Sequence, residues 1–188
     1  MPGATPVFAI PYPFVGEVVD PSVWQDFAET IDGLVNGMET TVAGLLDRPA
    51  AWVTTNSQAM VINTETTVSF SSIRYDNDGM FSLGTPTQFT VVTPGVYLVH
   101  IDGAISDFTT LTSWRIAVFQ NGVRKFAERK NEATSGGFGM QTSLSGLIAC
   151  QAGDTIQHRG IWTGTGGPGT AQGCSLQAFR ICPLTVIS

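Results

Sequence analysis

From residue 52 onward the apolar positions recur mainly with a period of two, the spacing of half-buried strands rather than helices. In residues 88–101, QFTVVTPGVYLVHI, two apolar, β-branched runs flank Pro94-Gly95. Pro94 fixes φ and Gly95 tolerates positive φ, the chemistry of a tight turn. Beyond it Val96, Leu98 and His100 alternate with Tyr97, Val99 and Ile101. Both faces of this strand read as largely apolar, so it is expected between two layers. Strands are predicted over 53–63, 66–74, 79–83, 88–93, 95–103, 112–120, 123–129, 140–150, 154–163 and 173–186. Their number and spacing suit an all-β, antiparallel double-sheet jelly-roll sandwich.

The first 48 residues follow other rules. Residues 1–19 interleave Pro2, Pro6, Pro11 and Pro13 with Phe8, Tyr12 and Phe14. Such a composition excludes helix and predicts an extended arm whose three aromatics dock on another surface. Asp20-Pro21 then offers an N-cap followed by proline at the first helical position. Trp24, Phe27, Ile31, Leu34, Met38 and Leu45 fall at spacings of 3 and 4, with Thr41 filling one slot, which is a coiled-coil seam over 20–48. Val23, Val35 and Val42 widen the stripe, as three strands require. Gly33, Gly37 and Gly44 each cost about 1 kcal/mol relative to alanine, so the helix is expected to depend on association. Packing on its own head is the alternative. Arg48-Pro49 ends the helix, and residues 49–188 form the head.

Four stretches of the head carry a resemblance. Phe89, Pro94, Gly95 and Tyr97 keep the spacing found in the globular heads of complement component 1q and the related tumour-necrosis-factor superfamily. Asn121-Gly122 falls where those heads carry an Asn-Gly hairpin. Leu144 to Ile156, LSGLIACQAGDTI, resembles their leucine-rich strand, Gly-Asp turn and following strand, and Ser175-Leu-Gln-Ala-Phe179 resembles the closing strand. The resemblance spans roughly residues 53–188 and implies a homotrimer with its N-termini gathered at the three-fold axis. It makes Phe89, Tyr97, Val99, Ile101 and Phe179 core or subunit-interface positions. The contact between Pro94 and Gly95 departs from the family, which usually places residues between them.

Charge changes the picture chiefly by its distribution. The chain carries a net −6. Seven acids, Glu17, Asp20, Asp26, Glu29, Asp32, Glu39 and Asp47, stand against Arg48 alone in the first 52 residues, while the head is neutral. This disfavours nucleic-acid partners. No run reaches the ~20 apolar residues of a membrane span, and MPGATPVFAI lacks the basic region and apolar core of a secretory signal. Three cysteines, Cys150, Cys174 and Cys182, point to a protein made in a reducing cytoplasm, with buried thiols or, alternatively, a Cys174–Cys182 bridge.

Catalytic chemistry is sparse. Gly164, Gly166 and Gly169 match G-x-G-x-x-G, but no helix can open after Pro168, so a dinucleotide site is excluded. His100 and His158, 58 residues apart, form no metal-ligand spacing and read as core or interface residues, and no triad follows from spacing. Asp76-Asn77-Asp78-Gly79 begins like a calcium loop but lacks the later acidic ligand. Arg124, Lys125, Arg129 and Lys130 read as a charged strand edge or a patch for an acidic surface. Arg124 and Lys125, with Gly164, Gly166 and Gly167 of the end loop, are candidate surface-recognition residues. No catalytic residue, cofactor or metal is assigned, and an enzyme is not expected.

The stretch FAIPYPFVGEVVDPSVWQDFAETIDGLV also resembles the N-termini of structural proteins from tailed bacteriophages of actinobacteria. Together the two resemblances imply a virion protein, assembled in the host cytoplasm and displayed on the particle. A minor tail or tail-fibre protein that touches a host-surface glycan is the first expectation, a capsid decoration protein the second, and a carbohydrate-binding module the third. The implied partners are further copies of itself and other virion proteins held through the arm.

Overall fold

The computed structural model describes residues 21–46, 48–135 and 139–184. These form a helix and ten strands in two compact units that divide between Leu46 and Asp47. The anchoring-arm residues Phe8, Tyr12 and Phe14 lie outside the described residues.

Helix α1 spans Pro21–Leu46. Phe27, Ile31, Leu34 and Met38 of the predicted seam are all exposed, from 39% for Phe27 to 68% for Met38, and Val35 beside them is 46% exposed. Trp24 and Leu45 belong to the helix, but their side chains fall outside the described set. A 26-residue helix with an uncovered apolar stripe and three glycines is marginal in water by itself.

The head contains β1 (Ala50–Met60), β2 (Thr66–Thr67), β3 (Ser72–Asp76), β4 (Phe89–Thr90), β5 (Gly95–Ser106), β6 (Thr110–Gln120), β7 (Val123–Ser135), β8 (Met140–Cys150), β9 (Thr155–Thr165) and β10 (Gly169–Cys182). Sheet I has the order β3-β1-β10-β5-β8; sheet II has the order β2-β9-β6-β7, with β4 also paired to β9. All pairings are antiparallel. The chain changes sheets at every connection except the β6–β7 hairpin, which is jelly-roll winding. The core between the sheets is filled by Trp114, Trp162, Tyr97, Phe70, Phe89 and aliphatic side chains, all essentially without solvent contact.

Local chemistry accounts for the turns. Asn121 and Gly122, at φ 51° and 77°, make the two-residue turn that sets Gln120 opposite Val123, as the dipeptide predicts. At the next corner Gly153 takes φ 89°. Asp154 there accepts from Gln120 Nε2 and Asn121 Nδ2, each at 2.7 Å, and from the Gln151 N–H at 2.8 Å. Burial raises this carboxyl's pKa, but the three hydrogen bonds outweigh it and hold the value below the usual carboxylate range.

Several expectations are corrected. No strand forms over 79–83, where Phe81 makes only an isolated bridge to Phe89. The Asp76 carboxylate draws that backbone into a loop, accepting from the N–H groups of Asp78 (3.3 Å), Met80 (3.0 Å) and Phe81 (2.9 Å). Asp78 is likewise committed, to the Thr93 N–H (3.1 Å) and hydroxyl (2.9 Å). Both carboxylates of the calcium-like loop thus act as backbone caps. The predicted strand 66–74 divides into β2 and β3. Gly95 does not take positive φ; it is required because a Cβ there would lie 2.6 Å from Arg180 Nε and 2.8 Å from the Cys182 carbonyl oxygen.

Strand β5 is not enclosed on both faces. Tyr97, Val99 and Ile101 are in the core, whereas Val96, Leu98 and His100 are only half-buried on the outer face of sheet I. Phe179 has the outward parity too and is 38% exposed, so it is no core residue. All three cysteines are free, Cys150 and Cys174 buried and Cys182 exposed.

Replacing Asp76 by alanine leaves three N–H donors without their charged acceptor. We expect a loss of about 2–3 kcal/mol in urea unfolding of the head, and roughly half that for Asp76→Asn. An unchanged midpoint for Asp76→Ala would show that the loop forms without the cap.

Candidate functional site

Sheet I has its inner side in the core and presents an unusually apolar outer side. Strand register orders it into rows. Leu147, Leu98, Phe179 and Ala50 lie side by side on β8, β5, β10 and β1. Leu147 is 63% exposed, and Ile181 beyond Phe179 is 42% exposed. The next row runs Ser145, His100, Gln177, Trp52, Tyr75, placing an exposed Trp–Tyr pair toward the β3 edge. Ile73 on the same strand is exposed too, but past a bulge it pairs with the inward Val53. Leu147, Leu98, Phe179, Ile181, Trp52 and Tyr75 therefore surround a narrow polar centre.

That centre is a line of polar side chains joined by hydrogen bonds at either end and by one longer His–Asp contact. His100 Nδ1 and Ser145 Oγ are 2.7 Å apart, and His100 Nε2 stands 3.6 Å from Asp102 Oδ2. The Ser175 hydroxyl donates to Asp102 Oδ2 at 2.7 Å, and Gln177 Nε2 donates to Ser175 Oγ at 3.4 Å. Ser, His and Asp are thus assembled although sequence spacing gave no sign of it, because Ser145 and His100 meet only through the β5–β8 register. The three stand on paired strands whose N–H groups serve the ladder. An acyl-transfer site needs further donors aimed at a developing oxyanion.

His158 occupies the core. Its Nδ1–H donates to the Ser175 carbonyl at 3.1 Å, Nε2 is buried with no partner, and the Phe70 ring lies 6.4 Å away. Burial drives its pKa down to about 4, only partly offset by that hydrogen bond. The buried thiols of Cys150 and Cys174 are pushed up to about 11 and about 12 by burial, with Asp154 and Asp102 adding to it, so neither is a nucleophile at neutral pH. Among the described residues no group of three or more His, Cys, Asp or Glu is placed to hold a metal ion, and no helix is long and apolar enough to cross a membrane.

The remaining candidates separate by location. Arg124 and Lys125 are exposed on the edge strand β7, on sheet II. Gly164 and Gly166 flank the β9–β10 turn, and packing explains them. A Cβ on Gly164 would overlap the Thr110 carbonyl oxygen, and Gly166, at φ 117°, abuts the Thr109 hydroxyl. Only Gly167 is open to solvent. Thr55, Asn56, Ser57, Gln58, Ser69 and Ser71 line a shallow polar cleft of about 320 Å³. Gln58 spans it, donating to the Thr67 carbonyl (3.0 Å) and accepting from the Ser69 N–H (2.7 Å), and so fixes the β2–β3 connection.

No family model matches the sequence, and no curated protein matches it. Solved structures do. The globular domain of zebrafish complement 1qA is 18% identical, with 72% of this chain and 99% of that one covered at a TM-score of 0.53. Eiger, a tumour-necrosis-factor protein from S. frugiperda, is 12% identical, with 76% and 98% covered at 0.54. The head has the complement 1q and tumour-necrosis-factor jelly-roll fold. At these identities the likeness is one of fold.

His158 makes the head acid-sensitive. The native imidazole stays neutral down to about 4 while the unfolded one titrates near 6.5, so the unfolded chain alone binds the proton between these values. Stability is complete above about pH 6.5 and falls as pH drops, by about 3 kcal/mol at pH 4. Urea titrations from pH 7.5 to 5 should show this slope for the native chain and its loss in His158→Asn; identical slopes would assign the effect elsewhere.

Proposed function

We propose that this chain is a homotrimeric virion appendage of a tailed bacteriophage, held by its N-terminal arm, with α1 as a short three-stranded stalk and the jelly-roll head turned outward. The observation that carries the reading is the outer face of sheet I. A row of Leu147, Leu98 and Phe179 flanked by Trp52, Tyr75 and Ile181 exposes large apolar side chains side by side, a surface of the kind that marks association. The exposed seam of α1 supports the same self-association, and burying three seams together supplies the stability that one glycine-bearing helix lacks. Trimerisation is also what the sequence resemblance implies for this fold. The virion assignment is supported by the proline-aromatic stretch of residues 8–35 and by the division into arm, helix and head. A host-binding tail position is preferred; a capsid decoration protein would share the architecture and differ in copy number.

Light scattering on the full-length chain at micromolar concentration should give three times the chain mass, and a monomer would refute the trimer. Leu147→Glu combined with Phe179→Glu should release monomers whose heads stay folded, with the β-sheet signal in far-ultraviolet circular dichroism retained. A double variant that remains trimeric would move the interface away from sheet I.

Removing residues 1–19 should leave the trimer intact and abolish its incorporation into particles, measured by quantitative mass spectrometry of purified virions. Normal incorporation would refute the anchoring role. The same measurement on the native particle separates a few copies, as a tail position requires, from hundreds, as a shell position requires.

A further inference from the structure

Sheet II turns a chemically different face outward. Arg115 on β6 stands directly opposite Arg129 on β7, and its other neighbour is Ile161 on β9. In the next row Ala117 lies between Ala127 and Arg159, and in the row after that Phe119 lies between Arg124 and Gln157. Ala117 and Ala127 thus floor a shallow trough walled by four arginines. The wider setting makes the cluster stand out, because the chain as a whole is acidic.

One carboxylate already sits on this face. Glu65 receives Arg115 Nη2 at 2.9 Å and faces Arg159 Nη1 at 3.8 Å, so a single carboxylate bridges two guanidinium groups. Arg159 is held ready for such contact. Its fork donates to Gln157 Oε1 through Nε (3.2 Å) and Nη2 (2.7 Å), and its guanidinium lies 4.2 Å above the centre of the Phe119 ring. Arg115 Nε is buried and without a partner among the described residues. Across the alanines, Arg124 and Arg129 are exposed and form no ion pair within the described residues. Glu128 pairs with Ile116 and so has the opposite parity on β7. Like charges placed directly across an antiparallel pair are destabilising, and Arg115 opposite Arg129 is such a pair. A bound anion relieves that repulsion.

We propose that the outer face of sheet II binds a linear carboxylated polysaccharide, whose acid groups are taken by Arg124 and Arg129 much as Glu65 is taken by Arg115 and Arg159. Planar guanidinium forks match carboxylates in bidentate geometry, and the alanine floor lets a flexible chain approach the sheet. A nucleic acid fits less well. Phe119, the aromatic in the rows of the trough, is covered by Arg159, which leaves no platform there for base stacking. The site shares no residue with the apolar face of sheet I, so the inference stands whether or not the chain is trimeric.

The test uses the full-length chain and three probes: polygalacturonate, neutral dextran and a single-stranded thymidine oligonucleotide, with binding followed by calorimetry at low and high salt. Polygalacturonate should bind at low salt and weaken as salt rises, and dextran should not bind. Arg124→Ala with Arg129→Ala should weaken binding about tenfold or more without lowering the thermal midpoint, since both residues are exposed on an edge strand and the change removes the like charge opposite Arg115. The proposal is overturned by absence of polygalacturonate binding, by equal affinity in the double variant, or by an oligonucleotide affinity that equals or exceeds that of polygalacturonate. A trimer that fails to bind would refute this proposal alone.

Discussion

Two indole N–H groups hold the sandwich in one relative placement. Trp114 on β6 donates to the Gly103 carbonyl on β5 at 3.3 Å, and Trp162 on β9 donates to the Met60 carbonyl on β1 at 3.1 Å. Both rings are fully buried, both originate on sheet II, and both find their acceptor on sheet I. A buried donor left without an acceptor costs about 1–3 kcal/mol, so sliding one sheet over the other by even one residue is penalised twice. Glycines make the room this needs. A Cβ at Gly160 would overlap the Trp114 ring, and one at Gly169 would come within 3.1 Å of the Trp162 indole. At Gly103 the crowding comes from the Cys174 sulfur, 2.7 Å from where a Cβ would sit. Small residues at these positions are part of the same constraint as the large rings.

With the interior fixed, the period of two in each strand decides what the outside presents. Tyr97, Val99 and Ile101 point inward, which commits Leu98 and His100 to the opposite side and, through the register of β8 and β10, lines up Leu147 and Phe179 with Leu98. The same holds for sheet II, where inward Trp114, Ile116 and Val118 leave Arg115 and Ala117 outward. Tyr97 shows how firmly the pattern is held. Its hydroxyl donates to the Thr93 carbonyl at 2.6 Å, and Thr93 is itself clasped by Asp78. Burial, with the Asp78 charge adding to it, pushes the phenol up to about 12, so the group remains a neutral donor at any physiological pH.

What could be read in the sequence was what short-range rules determine. Asn121-Gly122 specified its own hairpin, and Asp20-Pro21 with Arg48-Pro49 bracketed α1 to within two residues. The alternation at 95–103 located β5 but misled about its outer side, because apolar residues on an exposed face look the same in sequence as core residues. Phe81 was read as a strand since nothing in the local pattern shows that Asp76 will capture three N–H groups ahead of it. The two surface clusters were beyond reach for a different reason. Ser145 and His100 are 45 residues apart, and Arg115, Arg129 and Arg159 lie on three strands, so only strand register brings them together. Of the basic face, only the run from Arg124 to Lys130 left a trace in one segment.

The outer faces of the sandwich differ in a way that constrains how the head can be used. Sheet I offers large apolar side chains around an internally satisfied polar chain, a surface that gains free energy only by being covered. Sheet II offers guanidinium groups in surplus over carboxylates, a surface whose long-range field operates best in contact with solvent and with soluble anions. If sheet I is covered by further copies of the head, sheet II is left on the outside of the assembly, and its arginines are repeated once per copy. Repetition matters for a flat site with few contacts, because several weak grips on one long polymer multiply through effective concentration. A weak single site on sheet II would thus become a firm attachment only through the association that sheet I provides.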